Sequence, residues 1–218
     1  MGSGGTRTRT LASRTHLVVA CLLALTLAAL AAPRPALADT GGWASHPWPG
    51  CLGGTNSGGW DDSGLVYVPC GNPSVIAVYD ESAHLVRTIP TGRFVTDAAP
   101  TRDGAFLYLA GPAGLTRMAR QPTGSYAPDT AWHPDSFQMW GSTWQPQGHY
   151  VATDSAGNVY LADGTWTQNI AHTVIKYDPA GHVVTRFGEW ANSWGTGTFY
   201  WALAGLAVSG DGATVYTV

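Results

Sequence analysis

A repeated pattern of residues constrains the fold of this chain more than any other feature. Its fullest copy spans residues 154–188, and a second copy spans 62–89. Partial copies occur at 101–111 and 205–218. Each copy places a polar turn with a central glycine before a short run rich in Val, Tyr and Leu, which is typical of a β-strand. In the two fullest copies, further apolar runs separated by turn residues predict a four-stranded antiparallel meander.

The spacing of the repeat distinguishes between all-β architectures. The turn glycines Gly64, Gly104, Gly157 and Gly212 are separated by 40, 53 and 55 residues, close to the roughly 40–50 residues of one propeller blade. A β-sandwich would also contain many short strands, but it would not explain a recurring four-strand unit. We therefore predict an all-β fold, a β-propeller of four-stranded antiparallel blades, with about three and a half blades present. Because propellers close with about four to eight blades, we expect this chain to be a fragment of a longer protein.

The fullest copy contains three short runs in a fixed order. These runs are GNVYLAD, IKYD and FG, all within residues 157–188. Their order resembles the repeat of the NHL-repeat β-propeller family. The resemblance covers residues 151–218, is weaker over 62–89 and does not extend over 121–144. It implies that the complete protein is a six-bladed NHL-like propeller.

The first 38 residues have the layout of a secretory signal peptide. Three arginines precede an apolar and threonine run at 17–31, and Ala-Leu-Ala at 36–38 supplies a small-x-small cleavage site. A membrane anchor is the alternative, but this run of 15 residues is shorter than the ~20 needed to cross a bilayer. We therefore expect residues 1–38 to be removed. The remaining partial propeller, 39–218, would be secreted and would not insert into a membrane.

The charge of the chain argues against one class of partner. Residues 39–218 carry seven basic against 14 acidic side chains, so their net charge is −7. Nucleic-acid-binding surfaces cluster Lys and Arg against phosphates, and we therefore predict no nucleic-acid partner. The 28 glycines and ten tryptophans are typical of a turn-rich β protein.

Two cysteines remain after removal of the leader. Cys51 and Cys70 form an even pair, and in an oxidising compartment a disulfide is the natural interpretation. A zinc site is the alternative, but no further Cys or nearby His completes a set of four ligands. The disulfide would close a glycine-rich loop and so stabilise it by about 3 kcal/mol in the chain-entropy model.

Three residues are the candidate ligand contacts. Trp166 lies in an enlarged connection that has no counterpart in the other copies, and an indole there could stack on a sugar ring or an apolar ligand. His172 lies in the same connection, and His149 begins an inner strand near the expected central channel. The tryptophans that recur with the blade are interpreted as packing between blades.

No catalytic motif accompanies these residues. Neither a nucleophile elbow nor a phosphate loop is present, and the Asp-Gly turns lack the spaced carboxylates of a calcium loop. Our interpretation is a non-catalytic scaffold that binds a protein or carbohydrate ligand and needs no cofactor. Two alternatives stay open. One is a metal-dependent lyase or lactone hydrolase, in which His149 and His172 bind zinc or calcium, as the resemblance to NHL-like lyases implies. The other is a structural or sensor module of a longer surface protein.

Overall fold

The part of the chain that the structure describes is built from short β-strands. The computed structural model describes Cys51 and residues 58–139, 142–145, 148–163, 173–190, 198–199, 203 and 205–217. These residues form 18 strands and no helix. None of them therefore contributes a helix long and apolar enough to cross a bilayer. The strands are β1 (Gly59–Trp60), β2 (Val66–Cys70), β3 (Val75–Tyr79), β4 (Leu85–Pro90), β5 (Asp97–Pro100), β6 (Phe106–Ala110), β7 (Thr116–Arg120), β8 (Tyr126–Pro128), β9 (Phe137–Met139), β10 (Ser142–Trp144), β11 (Tyr150–Thr153), β12 (Val159–Asp163), β13 (Thr173–Tyr177), β14 (Val183–Phe187), β15 (Glu189–Trp190), β16 (Thr198–Phe199), β17 (Leu206–Val208) and β18 (Val215–Thr217).

Three sheets are complete four-stranded antiparallel meanders. They contain β1–β4, β5–β8 and β11–β14, each in sequential order, and we call them the first, second and third blades. The antiparallel pair β17–β18 follows them and is called the fourth-blade pair. Two smaller pairs lie between these units along the chain, antiparallel β9–β10 and parallel β15–β16. The predicted four-strand repeat is thus confirmed.

A glycine turn joins the first and second strands of every unit. Gly64, Gly104, Gly157 and Gly212 occupy these turns with φ values of 80°, 65°, 79° and 69°. This left-handed region is open to glycine but costly for residues with a Cβ atom. The repeated glycine therefore reflects a backbone requirement of the blade.

The blades pack face to face. Separate apolar clusters lie between the first and second blades, the second and third blades, and the third blade and the fourth-blade pair. The innermost strands β1, β5, β11 and β17 contact one another in series. Meanders stacked around their first strands form a β-propeller, as predicted. The three clusters include Ile76 with Leu107, Tyr108 with Leu161, and Tyr160 with Leu206, respectively.

The second blade is more complete than its sequence indicates. Only one partial copy of the repeat was recognised there, yet β7 and β8 complete a four-stranded sheet. In β7 only Met118 is buried, and the strand begins at a threonine and ends at an exposed arginine. A strand that buries one side chain leaves almost no apolar alternation in the sequence.

The predicted disulfide is present. Cys51 and Cys70 are bonded, with Cα atoms 5.2 Å apart, within the usual range for such a bridge. Cys70 is buried at the end of β2 with Ala77 and Tyr79, on the face of the first blade that points away from the second. The bridge therefore ties a preceding segment of the chain to that face.

The outer strands of the first and third blades share an irregularity. The register shifts between Val78 and Tyr79 against β4, and between Lys176 and Tyr177 against β14. Each shift leaves one residue of the outer strand without a partner, as in a β-bulge. These two residues are Val86 and Val184, which are 50% and 55% exposed.

Candidate functional site

The predicted ligand contacts are only partly represented in the structure. Trp166 and His172 lie outside the described residues, as does the predicted signal peptide 1–38. His149 is described, and it directly precedes β11. The geometry of the predicted site is therefore developed from His149.

His149 is held at the entrance to an inner strand. Its backbone N–H donates to the carbonyl of Ala162 at 3.0 Å. Its half-buried ring lies 6.5 Å from that of Tyr150, between centroids, at an interplanar angle of 55°. Burial lowers the pKa of the His149 imidazole, because the interior disfavours its charged form. The neutral ring can accept a hydrogen bond or ligate a metal.

The second blade has a threonine at the corresponding position. The Thr96 N–H donates to the carbonyl of Ala110 at 2.9 Å, as His149 does in the third blade. The Thr96 hydroxyl is close enough to donate to Ala110 O, at 3.1 Å, and to Gly148 O, at 3.5 Å. Thr96 and His149 thus each precede an inner strand, and the Thr96 hydroxyl reaches the carbonyl of Gly148, the residue before His149.

A buried carboxylate fixes these two inner strands to each other. Asp97 accepts hydrogen bonds from Ala98 N at 2.7 Å and from Val151 N at 2.8 Å. The Thr153 hydroxyl donates back across the same interface to Pro100 O at 2.7 Å. Because both bonds connect the second and third blades, the backbone that carries His149 is rigidly positioned.

No group of three or more His, Cys, Asp or Glu side chains that could hold a metal ion occurs among the described residues. His149 supplies one potential ligand there. The second ligand named by the sequence, His172, is outside the described part of the chain.

A separate pocket lies beside the connection from β6 to β7, and we call it the β6–β7 pocket. Its volume is about 400 Å³. The exposed side chains of His133 and Gln145 supply its polar groups. The lining residues are Pro112, Ala113, Gly114, Leu115, His133, Pro134 and Gln145.

One wall of this pocket is anchored to the third blade. The Trp132 indole N–H donates to Pro179 O at 3.2 Å, and the Asp135 N–H donates to Gly181 O at 2.8 Å. His133 and Pro134 lie between these two anchors along the chain. Sequence reasoning did not assign them a role, because prolines and glycines in this region indicate a loop but not what the loop packs against.

Comparisons with known proteins establish no family. No protein-family model matches the chain, and no curated protein is detectably similar to it. Among solved structures, 171 chains match. One is hydrazine synthase of Kuenenia stuttgartiensis, with a TM-score of 0.49 and 12% identity over 73% of this chain and 40% of that chain. Another belongs to the mitotic checkpoint complex, with a TM-score of 0.48 and 15% identity over 79% of this chain and 46% of that chain. The present chain thus spans less than half of each.

Proposed function

We propose that this chain belongs to an exported NHL-like β-propeller that binds a glycan or protein ligand through the connections between its strands. The observation that carries the proposal is the β6–β7 pocket, in which His133 and Gln145 stand among apolar side chains. Its volume of about 400 Å³ falls within the roughly 300–1,000 Å³ of small-ligand sites.

The rigidity of the blades supports this proposal. Interblade bonds such as the one from Val151 N to Asp97 hold the inner strands in place. Binding residues commonly lie on loops that a rigid scaffold positions. Trp166 and His172 lie between β12 and β13 along the chain, the same place in the blade order as the β6–β7 connection, which lines the pocket.

Two features support export. Residues 1–38 have the layout of a leader, and the disulfide between Cys51 and Cys70 is of a kind that persists in oxidising compartments. N-terminal sequencing of protein recovered outside the cell should begin at Asp39. A mature protein that retained residues 17–31 would contradict this part of the proposal.

Binding can be tested on the full chain with a glycan array and with photo-crosslinking. A photoreactive residue at position 133 should crosslink a ligand, and the same residue at Ser82 serves as the control, because Ser82 lies in an exposed turn of the first blade. Trp166→Ala should weaken binding by about tenfold, the loss expected for an aromatic anchor. Equal crosslinking from both positions, with no glycan bound, would contradict the proposal.

The second candidate function is metal-dependent lyase or lactone hydrolase chemistry. It is favoured by His149, since burial lowers the pKa of its imidazole and keeps the ring in the form that binds metals. Elemental analysis of the purified chain would decide. Stoichiometric zinc or calcium that disappears in His149→Ala would support the enzyme, and a metal content that is the same in both proteins would exclude His149 as a ligand.

A further inference from the structure

The turns between the first and second strands are of two alternating kinds. In the first blade, Asp61 accepts a hydrogen bond from the Tyr67 hydroxyl at 3.0 Å. In the third blade, Asp154 accepts one from the Tyr160 hydroxyl, also at 3.0 Å. Both aspartates are almost fully buried, at 3% and 2% exposure. The second blade has Thr101 and the fourth-blade pair has Ser209 in place of this aspartate.

In those units the carboxylate is used differently. The Thr101 hydroxyl donates to Asp103 at 2.7 Å, and the Ser209 hydroxyl donates to Asp211 at 2.6 Å. Each of these aspartates also accepts a backbone N–H of its own turn. The Oδ1 atom of each of these carboxylates is therefore bonded within its own turn.

The buried aspartates of the first and third blades close the interface with the next unit. A Cβ atom on Gly104 would lie 3.1 Å from Asp61 Oδ2, and one on Gly212 would lie 2.5 Å from Asp154 Oδ2. A Cβ atom would therefore be crowded by the carboxylate at both positions, and at both it would also be strained by the positive φ. The first blade therefore packs tightly on the second at this turn, and the third blade packs tightly on the fourth-blade pair.

Backbone hydrogen bonds repeat the same alternation. The Asp62 N–H donates to Arg102 O, and the Ser155 N–H donates to Gly210 O, both at 2.8 Å. The two donors, Asp62 and Ser155, each directly follow a buried aspartate. The two acceptors, Arg102 and Gly210, each directly follow a hydroxyl residue. At the interface between the second and third blades the order is reversed, because the hydroxyl turn of Thr101 comes first and the aspartate turn of Asp154 follows.

A cleft of about 500 Å³ opens at that second–third interface, and we call it the interblade cleft. A Cβ atom on Gly157 would meet only the Pro179 ring, at 3.5 Å, among the described residues. The turn therefore leaves space where its counterparts leave none. The lining residues are Asp62, Thr101, Arg102, Asp103, Phe106, Tyr108, Arg117, Asp154, Ser155, Ala156, Gly157 and Pro179.

One wall of the interblade cleft is fixed. Arg117 donates to Asp129 Oδ2 from Nε at 2.9 Å and from Nη2 at 2.6 Å, and its Nη1 donates to Pro179 O at 2.9 Å. The guanidinium carbon lies 4.2 Å from the centroid of the Phe106 ring. Arg117 is therefore neutralised and immobilised, and it holds the half-buried Phe106 ring against the cleft.

The rim of the cleft carries both donors and acceptors. Arg102 pairs weakly with Asp62, with Nη1 and Oδ1 3.7 Å apart and both side chains more than half exposed. The exposed Asp103 carboxylate and Ser155 hydroxyl complete the rim. The rim carboxylates disfavour an anionic ligand, and the Arg102 guanidinium disfavours a cationic one. The hydroxyl groups of a neutral ligand can donate to the carboxylates and accept from the guanidinium.

We propose that the interblade cleft binds a neutral saccharide unit, with its hydroxyl groups on the Arg102–Asp103–Ser155 rim and one apolar ring face against Phe106. The volume is sufficient for one or two sugar rings. The cleft shares no lining residue with the β6–β7 pocket. The two sites can therefore be tested by separate substitutions, at position 156 for the cleft and at position 133 for the pocket.

The test is a titration of the full chain with glucose, galactose, mannose, N-acetylglucosamine and cellobiose, followed by calorimetry and saturation-transfer NMR. We expect at least one of these sugars to bind. Ala156→Trp should fill the cleft and abolish binding, and Arg102→Ala should weaken it by about tenfold through loss of charged hydrogen bonds. Far-UV circular dichroism would confirm that each variant is folded.

The matched control is Ser63→Trp. Ser63 holds the corresponding turn position in the first blade. The Ser63 N–H donates to Asp61, as the Ala156 N–H donates to Asp154. Ser63 does not line the cleft, so this variant should bind as the wild type does. If no sugar binds the wild type, or if Ala156→Trp binds as the wild type does, the proposal is wrong.

Discussion

The first and third blades share a turn but stabilise it differently. In the first blade the Tyr67 hydroxyl, bound to Asp61, lies 3.2 Å from the Tyr126 hydroxyl of the second blade. In the third blade Lys176 Nζ lies 3.7 Å from Asp154 Oδ2 and 5.0 Å from the centroid of the Tyr160 ring. The same backbone thus accepts either a network of neutral tyrosine hydroxyls or a partly buried ion pair around its aspartate.

The outer turns of these blades differ as well. Ala83 and Gly181 occupy the same position between the third and fourth strands, and both have positive φ, 60° and 97°. The first blade places a residue with a Cβ atom in a conformation that favours glycine. In the third blade the glycine also allows the segment at His133 to approach closely.

Asp154→Ala should have the largest effect. It leaves the partly exposed Lys176 ammonium without its anion and removes the acceptor for Tyr160 and Asn158. We expect a loss of about 3 kcal/mol in the free energy of unfolding, the upper end of the cost of leaving buried hydrogen-bond partners unsatisfied. Asp61→Ala, which breaks no ion pair among the described residues, should cost about 1–3 kcal/mol. Urea denaturation measures both.

The role of the ion pair can be isolated with Lys176→Val, since the first blade has Val78 at this register. In the Asp154→Ala background, this second change should recover part of the lost stability. Additive losses from the two changes would show that Lys176 and Asp154 are not coupled.

Gly181→Ala should have the next largest effect. The substitution forces a Cβ atom into positive φ and to within 2.9 Å of the His133 carbonyl oxygen. We expect a loss of about 2–3 kcal/mol, compared with about 1 kcal/mol for Gly157→Ala, which faces strain without a backbone collision. Thermal unfolding of the two variants tests the difference, and equal losses would contradict it.

Acid should weaken the third blade through Asp154. Burial raises the pKa of this carboxyl, but hydrogen bonds from Asn158 and Tyr160 outweigh burial and hold the pKa below its ordinary value. A lowered folded-state pKa contributes stability that is present above the unfolded pKa and is lost as the pH falls toward the folded one. Asp154→Asn should therefore reduce the slope of unfolding free energy between pH 5 and pH 3, and an unchanged slope would contradict this assignment.

Ala83→Gly should have the smallest effect, and it should be stabilising. Relief of positive-φ strain exceeds the extra entropy that glycine loses on folding, so we expect a gain of about 0.5–1 kcal/mol. The change makes the first-blade turn like that of the third. A lower midpoint of thermal unfolding than that of the wild type would show that Ala83 is not strained.

Much of the blade architecture was predictable from local patterns. The turn glycines and the apolar runs of β3 and β13 each signal their structure within a few residues. The strand β7 was not recognised, because a strand that buries only Met118 has no periodicity to detect. The pair β9–β10 was not predicted for a different reason, because it lies where the family resemblance does not extend.

The candidate sites were less predictable, because they depend on relations between blades. The spacing from Asp61 to Tyr67 equals that from Asp154 to Tyr160 and is visible in the sequence. That spacing does not show that each aspartate is buried against the glycine of the next turn. The interblade cleft follows from the order in which unlike turns meet, so no single motif could have indicated it.

The alternation of turns also bears on how a chain of this kind can lengthen by duplication. A copied pair of blades brings its own matched contact, an aspartate turn against the glycine of a hydroxyl turn. A copied single blade would set two aspartate turns or two hydroxyl turns side by side. Such an interface would contain either two buried aspartates or none. The matched contact between turns in this chain therefore recurs every two blades, although the sequence repeats with every one.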